Sequence, residues 1–73
     1  HALEERELAE AIDRFLRTLP ERECSMFLRR YWWAEPLKTA AAHCGIPARR
    51  AKSILERLRR ALRSELEKEE ITL

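Results

Sequence analysis

The stretch Leu37–Leu62, LKTAAAHCGIPARRAKSILERLRRAL, decides how this 73-residue chain is read. A short run of small residues leads into Cys44-Gly45-Ile46-Pro47. A second helical pattern then opens on Arg49 and Arg50 and stays basic for about four turns. Gly45 is the only glycine in the sequence, and it falls where a tight connection between helices requires φ > 0. Pro47 suits the first position, N1, of the second helix. Together these features make the pattern of a helix-turn-helix over about residues 37–63, whose second helix can enter a DNA major groove. From Arg49 to Arg63 there are seven basic residues (Arg49, Arg50, Lys52, Arg57, Arg59, Arg60, Arg63) against one acid, Glu56, while the whole chain is only +2. Positive charge gathered on one element is the electrostatic footprint of a nucleic-acid reader.

Upstream, two more helices are expected. Leu8, Ile12, Phe15, Leu16 and Leu19 recur at helical spacing over Leu3–Leu19, with Glu4, Glu5, Glu7 and Glu10 placing acids near the start, where the helix dipole favours them. Pro20 interrupts that pattern, and a second helix follows over roughly Glu21–Trp33, with Cys24, Phe27, Leu28 and Tyr31 as its inward positions. Ala34-Glu35-Pro36 breaks it. The third helix, Leu37–His43, turns Leu37, Ala40 and Ala41 inward, and its three consecutive alanines allow close approach of a neighbour. The last helix buries Ala51, Leu55, Leu58, Leu62 and Leu66, turns acidic over Glu65–Glu70, and frays over Ile71-Thr72-Leu73. The fold expected is therefore all-α: one four-helix domain over residues 1–73, with a C-terminal helix-turn-helix and no wing.

Composition agrees. One glycine and three prolines are too few turn residues for a sheet topology. No apolar run approaches the ~20 residues of a membrane span, and no signal-peptide pattern is present, so a cytoplasmic location without membrane association is expected. A chain that begins at His1 reads as a domain excised from a longer protein. Cys24 and Cys44 lie 20 residues apart without the spacing of a zinc site, and they read as buried, reduced thiols. No paired carboxylates, metal ligands or phosphate loop suggest an enzyme or a cofactor, and His43, the one internal histidine, reads as a turn residue.

Arg49, Arg50, Ser53 and Arg57 share a stripe at the start of the last helix, where a recognition helix presents side chains to base edges. An arginine fork can bridge guanine O6 and N7, worth about 1–3 kcal/mol of discrimination. On an isolated helix such a face is merely solvated; the preceding turn is what makes it a candidate reader. Lys52 and Arg60 suit phosphate contacts, as do Lys38 and Thr39 at the start of the third helix, and Arg30 can reach the flanking backbone. Arg29, Arg59 and Arg63 are phosphate contacts or surface charge. Trp32 and Trp33 are separated by about 100° on a helix, so one is expected in the core and the other half-exposed at a protein contact.

The order Leu19-Pro20-Glu21-Arg22-Glu23, Arg30-Tyr31, Gly45-Ile46-Pro47, Lys52-Ser53 and Leu55 resembles region 4 of bacterial sigma factors of the extracytoplasmic-function type. The resemblance covers about 50 residues from Leu19 onward. It implies a cytoplasmic domain that recognises the promoter −35 element in double-stranded DNA and docks on the flap of the core RNA polymerase β subunit, with an anti-sigma factor as a further partner. By position it turns Arg49, Arg50, Ser53 and Arg57 toward bases or flanking phosphates and sets Lys52 beside the backbone. The chain departs from the family pattern at Arg49-Arg50, Ile54, Lys38-Thr39 and Trp33-Ala34-Glu35-Pro36, and it lacks the promoter-melting region of a complete sigma factor. Two other readings fit the residues: a sigma-like or LuxR-type regulator that never joins polymerase, and a helical bundle whose basic helix engages an acidic protein.

Overall fold

Three prolines open three of the four helices. The computed structural model describes residues 2–69, with side chains from Glu5 onward. It contains α1 (Ala2–Arg17), α2 (Glu21–Tyr31), α3 (Leu37–His43) and α4 (Ala48–Lys68), with no strand among the described residues. The chain is an all-α four-helix domain. Leu3 and Glu4 as side chains, and the expected fraying of Ile71-Thr72-Leu73, lie outside the described residues.

Pro20, Pro36 and Pro47 each hold the position before the first helical residue, with φ of −55°, −57° and −58°. A helix start has no partner for its first N–H groups, so the missing proline N–H costs nothing there. Each proline carbonyl accepts the first helical bond, from the N–H of Cys24 (2.9 Å), Ala40 (2.9 Å) and Ala51 (3.0 Å). Pro47 thus sits one residue earlier than expected, at the N-cap. α1 stops at Arg17 rather than running to Leu19, because Thr18 and Leu19 donate three residues back, to Phe15 O (3.0 Å) and Leu16 O (3.2 Å).

The turn between α3 and α4 is a Schellman motif. Ile46 N–H donates to Ala41 O at 2.9 Å, Gly45 N–H donates to Ala42 O at 3.2 Å, and Gly45 has φ +67°. Ile46 then folds onto the core. The α2–α3 connection solves the same problem with Ala34 at φ +56°, a left-handed conformation that suits glycine better. Trp32 and Trp33 N–H both donate to Leu28 O, and Glu35 N–H donates to Arg29 O at 2.9 Å. α2 therefore ends at Tyr31, two residues short of the expected Trp33.

α4 is the spine. Ala51, Leu55, Leu58 and Leu66 are buried along it, and Leu62 is half-buried on the same stripe. Against it lie α3, whose Ala40 and Ala41 are fully covered, and α1, whose Ala11 and Phe15 are buried. The Phe15 and Phe27 rings meet edge to face at 6.5 Å. Arg14 pairs with Glu69, which ties α1 to the far end of α4.

α2 corrects the expectation. Its buried residues are Met26 and Phe27, with Glu23, Cys24, Arg29 and Arg30 half-buried, while Leu28 and Tyr31 are exposed. The inward stripe is Glu23, Met26, Phe27 and Arg30, rotated by about one residue from Cys24, Phe27, Leu28 and Tyr31. Both stripes have helical spacing. Met26 fills the core, and the charged heads of Glu23 and Arg30 reach partners at the two ends of the helix. Neither tryptophan enters the core, since both lie past the end of the helix. Cys24 and Cys44 are free but half-buried rather than buried.

Candidate nucleic-acid interface

α4 turns by about 100° per residue, so the leucine stripe leaves a broad face opposite it. Arg49, Ser53 and Arg60 occupy the middle of that face. Arg50 and Arg57 lie on the flank beside the start of α2, and Lys52, Arg59 and Arg63 on the other flank. All eight are exposed. Lys38 and Thr39 are exposed at the start of α3, about two helical turns before the Gly45 connection.

The helix starts differ in charge. α2 begins with Glu21 and Glu23, as a helix dipole prefers, but neither α3 nor α4 has an acid in its first turn. Instead Lys38 sits at the start of α3, and Arg49 with Arg50 at the start of α4. Cations at these ends cost about 0.3–1 kcal/mol of local stability each at low salt. Folding does not ask for this arrangement, and an approaching anion reverses its sign. A local rule broken without an internal partner is the kind of departure that belongs to a binding surface.

Partners sort the candidates. Among the described residues, Arg49, Arg50, Lys52, Arg60 and Lys38 enter no ion pair. Arg50 lines a cleft with Pro20, Glu21, Glu23 and Ile54. Ser53 Oγ donates to Arg50 O at 3.1 Å, leaving its lone pairs as acceptors. Arg57 is engaged: its Nη2 donates to Glu23 Oε1 at 3.0 Å, across from α2. Arg30 turns inward, with Nη1 3.5 Å from Glu35 O and its guanidinium 5.6 Å from the Tyr31 ring centre. The structure thus brings Arg49, Arg50, Ser53 and Arg60 onto one open face, holds Arg57 at its edge, and sets Arg30 apart at the α2–α3 turn.

Glu23 was not visible as a partner in the sequence, because it lies 34 residues from Arg57 and only the crossing of α2 over α4 joins them. Arg59 is similar: its guanidinium lies 6.0 Å from the Tyr31 ring centre, a contact no helical spacing reveals. Among the described residues no cluster of three or more histidine, cysteine or acidic side chains could hold a metal ion, and no helix is long and apolar enough to cross a membrane. Compared with family models, curated proteins and solved structures, the chain matches none.

Proposed function

We propose that this chain binds duplex DNA through α4, as the −35-reading domain of a bacterial sigma factor. Arg49, Arg50 and Ser53 face base edges in the major groove. Lys52 and Arg60, with Lys38 and Thr39 at the start of α3, neutralise flanking phosphates. Glu23 withholds Arg57 from the duplex, and Arg30 contributes where the backbone passes the α2–α3 turn. The observation that carries this reading is the pair of acid-free helix starts, with cations at the positive end of each dipole and no acid beside them in sequence.

The same proposal places the domain in the cytoplasm and docks it on the β flap of core RNA polymerase, as the family resemblance implies. An anti-sigma factor is the partner that would hold it off. Chemistry at the start site belongs to polymerase; this domain contributes position and no catalysis. Affinity comes mainly from released counterions, so log K falls with log salt by about 0.9 per neutralised phosphate. Arg50→Ala tests the base-reading half. It should weaken binding to the preferred duplex by about 1–3 kcal/mol and binding to random duplex by much less. Equal losses on both would leave Arg50 a phosphate contact. Co-purification with core polymerase separates the sigma reading from a regulator that acts alone.

A further inference from the structure

The second apolar stripe of α2 is only partly covered in this fold: Phe27 is buried and its ring meets that of Tyr31 at 4.9 Å, while Leu28 and Tyr31 stay open on their outer side. Leu28 and Tyr31 are 38% and 43% exposed, and Trp32 and Trp33 just beyond them are 80% and 63% exposed. Single exposed apolar residues are ordinary, but among the described residues every large exposed hydrophobic one gathers on one six-residue segment. Beside it, between the end of α2 and the middle of α4, runs an open groove of about 530 Å³. Phe27, Tyr31 and Leu62 line its floor, and Arg59, Arg60 and Arg63 its rim, with Glu56 the only acid. Tyr31 belongs to both features, so the aromatic segment borders the groove at that residue.

We propose that this surface docks an acidic segment of another protein, carrying a bulky apolar side chain into the groove and carboxylates onto the arginine rim. Charge complementarity selects the occupant: three arginines against one glutamate call for an anionic partner. The apolar floor and the exposed tryptophans call for side chains that duplex DNA does not present. A second copy of the chain is disfavoured, because a two-fold contact must be self-complementary and this patch offers three rim arginines only one acid, Glu56, to meet them. Tryptophan, tyrosine and arginine are also the residue types that dominate binding energy at protein interfaces. Arg59 is already held over Tyr31, and Arg29 over Trp33 at 5.4 Å, so part of the ordering precedes binding. Docking at this surface does not require α4 to bind DNA.

The two tryptophans are the only ones in the chain and follow Tyr31 directly, next to the groove wall, so their emission reports on its immediate surroundings. The probe is a short synthetic peptide free of tryptophan, with leucine and phenylalanine at helical spacing and glutamates between. Adding it to the intact domain at low salt should shift tryptophan emission to the blue and protect it from acrylamide. The dissociation constant should rise about tenfold or more with the Glu→Gln peptide and with the Leu→Ser peptide. It should rise similarly in an Arg59→Gln, Arg63→Gln double variant, whose substitutions are exposed and leave the core intact. No emission change, or binding indifferent to those arginines, would overturn the proposal. So would the same blue shift produced by duplex DNA alone. Self-association seen by sedimentation and abolished by Trp32→Ser would assign the surface to a second copy instead.

Discussion

Glu23→Gln should lower stability and raise DNA affinity at once. The substitution keeps the size of the side chain and removes only its charge. Glu23 is 20% exposed and accepts a 3.0 Å bond from Arg57, which is 61% exposed. An ion pair that open is heavily screened, and its loss should cost about 0.5 kcal/mol of folding stability. For a domain of this size that is a fall of about 3 °C in Tm. On DNA the sign reverses. Arg57 is released toward the duplex and adds one phosphate contact, so the slope of log K against log salt should steepen by about 0.9. Thermal melting by circular dichroism reads the first effect, and fluorescence anisotropy across a salt series reads the second. Weaker DNA binding by the variant would mean that Glu23 orients Arg57 for readout rather than withholding it. Unchanged melting and unchanged slope would mean that the pair contributes nothing in solution.

Backbone and core offer further tests, all read by urea denaturation. Ala34→Gly should stabilise the domain by about 1 kcal/mol, since it relieves an alanine held at φ +56°. Gly45→Ala should destabilise it by a similar ~1 kcal/mol through backbone strain alone, because a Cβ at Gly45 meets nothing within 4 Å. Leu58→Ala removes a side chain that is 1% exposed, and should cost about 3 kcal/mol of a total of roughly 4–11 kcal/mol for a chain this long.

Much of the fold is legible in a few residues. Pro20, Pro36 and Pro47 mark three helix starts, because a proline has no N–H to give to a preceding turn, and Gly45 marks a Schellman turn, because φ +67° favours glycine. The leucine stripe of α4 and the alanines of α3 keep their predicted faces. α2 does not. Its sequence holds two overlapping apolar stripes, and a helix of 11 residues has too little length for periodicity to choose between them. Packing chose the stripe with Met26, which left Leu28, Tyr31 and both tryptophans outside. At the candidate interface, exposure of Arg49, Arg50, Ser53 and Arg57 follows from the leucines opposite them. The Glu23–Arg57 pair and the Tyr31–Arg59 contact depend on how two helices cross, which no single-helix pattern encodes.

The most direct test of DNA reading is fluorescence anisotropy of the domain against a pool of promoter-like duplexes and a scrambled control, titrated with salt. Preference for one duplex family, with affinity falling as salt rises, is the expected result. No binding to any duplex at low salt would remove α4 as a DNA reader and leave the basic helix to a protein partner.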